Sequence, residues 1–245
     1  MRRSLWPWGQ RIFAAAALLT CGPACLASAL QVSPIVVQFA ADQPAASVNL
    51  QNAGDTPLDA QVRIFAWTQK DGQDTLELDP GVQVSPPISA IPALGEQVVR
   101  LVRRDHQAPG QELCYRLLID ELPGVDANAN NKVIFRLRYS VPVFVAPAGF
   151  PAPAKLSWSA ERRAGGWLLK ARNDGGLHAQ FGATRLRWPD GRESILTDGL
   201  FGYALAGSTR SWELPKTLPE LAAGVKVLTT IDHAAVIADV RIDSR

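Results

Sequence analysis

The longest alternation of apolar and polar residues in the chain runs from Val133 to Pro147, a segment that we call the ribbon. Its odd positions are apolar or aromatic throughout, whereas its even positions from Arg136 to Pro142 carry arginine, serine and proline. Successive side chains of a strand point to opposite faces, so this period of two predicts a β-strand with one apolar face. Its length of about thirteen residues is more than twice the usual five or six.

Pro142 bears on what the ribbon pairs with. Because a proline cannot donate a hydrogen bond to a β-ladder, Pro142 indicates that at least one side of the ribbon is a sheet edge or a bulge. A long apolar edge promotes aggregation unless something covers it. Two interpretations follow. The ribbon is either a core strand buried in its own sandwich or a strand held ready to pair with another chain.

Shorter segments with the same alternation recur about every ten residues from Leu30 onwards, separated by turn residues, which is typical of an all-β fold. The ribbon and the segments before it predict one immunoglobulin-like sandwich, and the segments after it predict a second, smaller one. Helical periodicity is absent beyond residue 29. The predicted strands before the ribbon are 32–39, 47–52, 60–69, 82–85, 97–104 and 113–121, and those after it are 155–160, 167–172, 180–188, 208–214, 225–231 and 235–242.

Residues 1–29 have the anatomy of a secretory signal peptide. Arginines lead into an apolar run from Ile12 to Leu19, and Ala27-Ser28-Ala29 offers a small-residue cleavage site. The apolar run is too short to span a membrane. We therefore expect export and removal of this segment.

A proline-rich segment at 146–153 follows the ribbon directly. Closely spaced prolines make a stiff connection, which favours a domain boundary here over a flexible tether. We predict an N-terminal domain at 30–148 and a C-terminal domain at 149–245.

Cysteine usage fits an exported protein without disulfides. Cys21 and Cys25 lie in the predicted signal peptide, so Cys114 is left alone in the mature chain. Cys114 belongs to a strand-like run, which favours a buried, inert thiol over a reactive one.

Composition and motifs argue against several functions. A net charge of +2 and an aromatic content of 7% indicate no nucleic-acid-binding field. The three histidines, His106, His178 and His233, are not spaced for a metal site, and neither a nucleophile motif nor a glycine-rich phosphate loop is present. We therefore predict no catalytic residue, no metal and no cofactor, and no enzymatic activity.

Arginine is the residue type that stands out. Arg100 and Arg116 are flanked by apolar residues in predicted strands, and Arg136 and Arg138 lie on the ribbon. Arginine binds carboxylates with two parallel hydrogen bonds, so an arginine directed between two domains is a candidate anchor for a chain terminus. The alternative for each of the four is a solvated strand face.

Several motifs, in this order and spacing, resemble the periplasmic pilus-assembly chaperones of the PapD-like family, and more closely the archaic, spore-coat-U-like branch. No single motif is diagnostic, but together they cover nearly all of the exported chain. The motifs are Asn52-x-Gly54, Trp67-x-Gln69-x-x-Gly72, Ser85-Pro86-Pro87, Ile91-Pro92, Gln97-Val98-Val99-Arg100-Leu101, Tyr115-Arg116-Leu117, Glu121-Leu122-Pro123, Val141-Pro142-Val143-Phe144-Val145-x-Pro147, Gly199-Leu200-x-Gly202-Tyr203-x-Leu205-x-Gly207 and Arg210-x-Trp212-x-Leu214-Pro215.

The resemblance implies two immunoglobulin-like domains in a boomerang arrangement and a chaperone that works in the periplasm. Such a chaperone completes an unfinished pilus subunit by donor-strand complementation and delivers it to an outer-membrane usher, without a nucleotide. On this sequence, the donor residues would be Val133, Phe135, Leu137 and Tyr139.

The sequence departs from the family at the usual anchor. The better-known branch holds the carboxylate of the subunit with a basic pair, whose positions fall near Val36 and Pro142 here. The resemblance to the archaic branch therefore suggests Arg116 as the anchor, with Arg100 as a second arm or substitute.

The family also locks its two domains together with an acid, an arginine and a second acid. Glu112 and Asp232 lie at the acidic positions, but Ala146 lies at that of the arginine. The lock is therefore either lost or rebuilt from other residues.

Two other functions compete with the chaperone. A structural or adhesive subunit of the fibre would need an N-terminal donor extension and usually a disulfide, whereas the first predicted strand follows Leu30 almost at once. A secreted glycosidase needs two converging carboxylates, but Asp120 and Glu121 are adjacent on a strand and so face apart. The exposed apolar edge of the ribbon is also compatible with self-association of the free protein.

Overall fold

A computed structural model describes residues 30–78, 81–123 and 136–243. These residues form eighteen β-strands and no helix, which confirms the all-β prediction, and none could cross a membrane as a helix. The strands are β1 Leu30–Ser33, β2 Val37–Phe39, β3 Ala45–Asn52, β4 Leu58–Lys70, β5 Gln73–Glu77, β6 Val82–Ser85, β7 Ile88–Ile91, β8 Glu96–Arg103, β9 Leu113–Glu121, β10 Arg138–Val145, β11 Leu156–Arg163, β12 Gly166–Asn173, β13 Ala179–Arg187, β14 Glu193–Thr197, β15 Gly202–Ala204, β16 Thr209–Glu213, β17 Lys226–Ile231 and β18 Ala234–Asp243.

Strands β1 to β10, the N-terminal domain, form two sheets that pack face to face. One sheet has the order β1-β3-β8-β6, and the other has the order β2-β10-β9-β4-β5 with β7 beside β4. Alternate residues of both sheets point inward and are fully buried, among them Leu50, Leu101, Leu117 and Val143. This arrangement is an immunoglobulin-like sandwich.

The single strand predicted for 32–39 is two strands in the structure. Strand β1 pairs with β3 in one sheet, whereas β2 pairs with β10 in the other. The chain changes sheets at Pro34, which has no amide hydrogen to contribute to a ladder. As a result, β2 lies beside only the last part of β10, at Val143–Val145.

The ribbon is also shorter than predicted. Strand β10 covers Arg138–Val145, while Arg136 and Leu137 precede it without regular structure. The reason is its partner, since β9 ends at Glu121, whose amide makes the last bond to the carbonyl of Leu137. Residues 133–135 of the predicted strand lie outside the described residues.

Strands β11 to β18, the C-terminal domain, form a continuous set in the order β14-β13-β17-β18-β11-β12-β16, with β15 beside β13. Strand β18 links its two halves because it pairs with β17 in antiparallel and with β11 in parallel fashion. The core is built around Trp158, Leu169, Phe181 and Val227. The short strands β14 and β15 were not predicted, nor were β5 and β7 in the N-terminal domain.

One buried asparagine closes the same kind of turn in each domain. The Nδ2 atom of Asn52 donates to the carbonyls of Thr56 (2.8 Å) and Pro92 (3.0 Å), while its Oδ1 accepts from the amide of Gly54 (2.9 Å). Asn173 repeats the pattern in the C-terminal domain. Both side chains are completely buried, so their hydrogen bonds are made where water cannot replace them.

We expect Asn52→Ala to lower the free energy of unfolding by about 2–4 kcal/mol, because it removes a completely buried side chain together with its hydrogen bonds to Gly54, Thr56 and Pro92. Urea unfolding measures the change. Asn49→Ala is the control, since Asn49 on the same strand bonds only the exposed Glu96 through its side chain. An equal loss in both variants would contradict the role assigned to Asn52.

Candidate functional site at the interdomain elbow

The two domains meet at a small apolar cluster, which we call the elbow. It consists of Trp67 on β4, Phe144 on β10, and Tyr203 and Leu205 around β15, all buried. The Tyr203 ring stands edge-on to Trp67, with 5.3 Å between centroids and 85° between planes. Trp67 lies on the outer face of its sheet, so the C-terminal domain covers an aromatic ring that would otherwise be exposed to water.

Gln69 attaches β4 to the C-terminal domain through its side-chain amide. Its Nε2 donates to the carbonyl of Tyr203 (2.8 Å), and its Oε1 accepts from the amide of Leu205 (3.0 Å). The side chain thus satisfies two backbone groups of the other domain. This explains why a glutamine follows Trp67 by two residues in the sequence motif.

The turn between β4 and β5 supplies the next contact. The carbonyl of Gly72 accepts hydrogen bonds from the amide of Ser211 and from Nη1 of Arg210, both at 2.9 Å. A Cβ atom on Gly72 would lie 2.2 Å from Oγ of Ser211, and its φ is +77°. Both the close approach and the left-handed backbone require glycine here.

A carboxylate and a histidine form a third link between the domains. The carboxylate of Glu112, 4% exposed, accepts from the backbone amide of His178 (2.7 Å) and bonds its Nδ1 (2.8 Å). The His178 ring also stacks on Phe144, with 3.5 Å between centroids and 5° between planes. The interdomain lock left open by the sequence is thus rebuilt with His178 in place of an arginine.

The second acidic residue of the expected lock has another role. Asp232 accepts a hydrogen bond from the amide of Gln180 (3.1 Å), and it occupies the β17–β18 turn with His233, both at positive φ. These residues, with His178, line a cleft of about 400 Å³ that also reaches Val36 on the other domain. No group of three or more metal-ligating side chains occurs among the described residues.

Arg116 lies on the outer face of β9 at the elbow. Its Cζ is 3.7 Å from the centroid of Trp67 and 5.0 Å from that of Tyr203, within the range of cation–π interactions. Within the described residues, its guanidinium makes no hydrogen bond and no ion pair. Burial lowers the pKa of Arg116, although the group stays charged at neutral pH. A half-buried cation with unused donors is suited to binding an anion.

The other three arginines lie elsewhere. Arg100 is exposed on the outer face of the opposite sheet, on β8, so it is separated from Arg116 by the thickness of the sandwich and does not form a second arm. Arg138 pairs with Asp120, which Arg63 also contacts at 2.7 Å. Both arginines of these pairs are largely exposed, so the pairs contribute little to stability. Arg136 is exposed near the start of β10.

Strand β10 has one open edge. The carbonyl of Leu137 accepts a hydrogen bond from the amide of Glu121, which sets the pattern for the strand. The odd-numbered residues of β10 therefore bond β9, while the backbone groups of its even-numbered residues point to the side opposite β9. Strand β2 occupies that side only from Val143 onward. Between Arg138 and Pro142, no strand among the described residues pairs with this edge.

The predicted donor residues near this edge differ in whether their side chains are free. Leu137 is 37% exposed and lies beyond the core. Tyr139 instead packs against the core of its own domain and donates from its hydroxyl to the carbonyl of Leu30 (2.5 Å), so it is not free to fill a groove elsewhere. Val133 and Phe135 lie outside the described residues.

Cys114 is a free thiol beside the elbow. Burial raises the pKa of Cys114, and the nearby Glu112 carboxylate adds to the effect. The thiol therefore stays protonated at physiological pH, as predicted for an inert cysteine.

Comparison with protein families places these features in a known group. Residues 29–151, half of the chain, match the family of pili and flagellar-assembly chaperones through the PapD N-terminal domain. The chain belongs to this chaperone family. No curated protein sequence matches it.

Solved structures of chaperones share the fold over most of the chain. One is a chain of the CsuC–CsuE chaperone–tip adhesion subunit pre-assembly complex from archaic chaperone-usher Csu pili of Acinetobacter baumannii. It is 25% identical with a TM-score of 0.69, and the match covers 88% of this chain and 99% of that one. The YadV chaperone is 18% identical (TM-score 0.63; 86% and 99% covered), and the Pseudomonas aeruginosa CupB2 chaperone is 20% identical (0.54; 85% and 98%).

We expect Gly72→Ala to lower the stability of this chaperone by about 2–3 kcal/mol, because the new methyl group meets Ser211 and the backbone is left-handed. Gly191→Ala is the matched control, since Gly191 has a φ of +85° but open space around it. Urea unfolding should give a smaller loss for the control, about 1 kcal/mol.

A second substitution separates the clash from the backbone strain. Ser211→Gly introduced into Gly72→Ala should restore the part of the stability that the clash removed. If Gly72→Ala cost no more than Gly191→Ala, the close packing of this turn on β16 would be contradicted.

Proposed function

We propose that this protein is a periplasmic chaperone that holds an unfinished pilus subunit by lending it the ribbon, and then passes the subunit to an outer-membrane usher. The family match supports a chaperone of pilus assembly. The observation that most directly supports lending of the ribbon is the open edge of β10 between Arg138 and Pro142. In the Acinetobacter complex, a chaperone of similar structure is held with a tip adhesion subunit.

The open edge has the chemistry that strand addition requires. Backbone groups of Arg138 and Ser140 face it, so they would bond an incoming strand with little regard to its sequence. Leu137, with Val133 and Phe135 before it, would fill the groove that a missing strand leaves in the subunit. Each such side chain contributes about 1.5–3 kcal/mol when buried, before the cost of ordering.

Arg116 is the proposed anchor for the C-terminal carboxylate of the subunit. It is the register partner of Pro142, where the open edge ends and β2 begins to pair with β10. Its unused donors and aromatic support favour two parallel bonds to a carboxylate.

We also propose that the protein is exported to the periplasm. Residues 1–29 are proposed as a signal peptide, with domains at 30–148 and 149–245 and no disulfide to form after export. Folding of the subunit supplies the energy of transfer to the usher, where the extension of the next subunit replaces the ribbon.

Strand addition is tested by Ser140→Pro. Its amide points to the open edge and not to β9, so the substitution removes an edge donor without breaking the β9 ladder. We expect the variant to fold but to bind a subunit roughly 10- to 100-fold more weakly. The measurement is co-expression with pilus subunits from the same genome, scored by subunit that survives periplasmic proteolysis and co-purifies.

The control is Ser47→Ala on β3 of the opposite sheet, which should protect the subunit as well as the wild type does. A wild-type protein that protects none of the subunits, or a Ser140→Pro variant that protects them fully, would contradict strand addition at this edge.

The anchor is tested by Arg116→Ala in the same co-expression. Loss of a charge-assisted pair should weaken retention of the subunit by about 10- to 100-fold, and Arg116→Lys should recover only part of it. Arg100→Ala, on the other sheet, is the matched control and should retain the subunit fully. Equal retention by Arg116→Ala and wild type would rule out Arg116 as the anchor.

A further inference from the structure

The guanidinium of Arg116 is in contact with one aromatic ring from each domain. Trp67, at 3.7 Å, belongs to the N-terminal domain, and Tyr203, at 5.0 Å, belongs to the C-terminal domain. Both distances are within the 6 Å or so over which a ring attracts a cation. A residue of the second domain is therefore part of the surroundings of the anchor.

Domain docking fixes the position of Tyr203. Its ring packs edge-on against Trp67, and its carbonyl accepts from the side chain of Gln69. The residue is 5% exposed, so its ring has little freedom to move independently. The ring reaches Arg116 only because the two domains are held in this arrangement.

The two aromatic contacts leave hydrogen-bond donors of the Arg116 guanidinium unused. Aromatic rings attract the planar face of an arginine, whereas its five N–H groups lie in the plane and point outward. No described carboxylate occupies the rim of Arg116. The two rings stand at 85° to each other and contact the guanidinium on two sides, so together they restrict the direction in which its donors point.

We propose that Tyr203 is a positioning residue of the anchor: carried by the C-terminal domain, it orients Arg116 of the N-terminal domain for a carboxylate. This inference rests on the proposed role of Arg116. The anchor is then complete only when the domains are docked. Since coupling between sites is reciprocal, a bound carboxylate also strengthens the docking.

A small carboxylate tests the proposal on the full mature chain without a subunit. The probe is N-acetylvaline, compared with N-acetylvalinamide, which has the same shape without the charge. Binding is followed by NMR at the Nε–Hε signal of Arg116, assigned through its loss in Arg116→Lys. We expect the wild type to respond to the acid and not to the amide.

Variants of Tyr203 separate positioning from packing. Tyr203→Leu should weaken binding of the acid about three- to tenfold, as expected for one lost cation–π contact, and Tyr203→Phe should bind within about twofold of wild type. Phe201→Leu is the matched control, because Phe201 stacks on Trp212 in the same domain. It should bind the acid as the wild type does.

The outcomes distinguish this inference from the proposed function. A wild type that does not respond to the acid would overturn the Arg116 anchor itself. A wild type that responds, with Tyr203→Leu binding the acid equally well, would overturn only the role of Tyr203. If Tyr203→Leu fails to fold, nuclear Overhauser contacts between the Arg116 side chain and the Tyr203 ring in the wild type decide, and their absence overturns the proposal.

Discussion

A tryptophan on the outer face of a sheet must be covered by something, and Trp67 is covered by the second domain. Its indole N–H is satisfied by Asp74 at 3.0 Å, so the ring is buried without an orphaned donor. Gln69 and Gly72, which follow it on the same hairpin, make the polar contacts that hold the cover in place. The part of the ring face that remains open is where Arg116 lies. Burying one aromatic ring thus fixes both the domain arrangement and the candidate anchor.

Strand β10 serves its own domain with one set of groups and leaves another set unused. Val141, Val143 and Val145 are buried in the core, so a slip of one residue would turn all of them outward. The core therefore fixes the register of the strand, and with it the backbone groups that face the open edge. The boundary between the two uses lies at Tyr139, which is still attached to its own domain, whereas Leu137 is not. The part of β10 with the open edge is held rigid because the rest of the same strand is packed in the core of its own domain.

The sequence predicted what depends on local pattern. Alternation identified most strands, and the Asn-x-Gly motifs marked the turns that Asn52 and Asn173 close. It did not predict the change of sheet at Pro34, because both flanking segments alternate alike. Nor could it distinguish Arg100 from Arg116, since both have apolar neighbours and only the sheet assignment separates them.

The residues that sequence reasoning missed act across long separations. His178 and Tyr203 contact residues more than sixty positions away, and no period of two or of 3.6 records such a contact. The double glycine before His178 and the motif around Tyr203 were visible in the sequence. They indicate a turn and a family resemblance, respectively, but not which residues His178 and Tyr203 contact. For a site between two domains, the partner is known only when both domains are in place.

The link between Glu112 and His178 shows how the lock changes when its arginine is absent. An ionised carboxylate only accepts hydrogen bonds, so Nδ1 of His178 must carry the proton that points to it. A neutral imidazole with that tautomer is sufficient, and the stack on Phe144 holds the ring in the required plane. The backbone amide of His178 donates to the same carboxylate at 2.7 Å. The rebuilt lock therefore joins the two domains directly, with two donors from one residue of the C-terminal domain meeting one acid of the N-terminal domain.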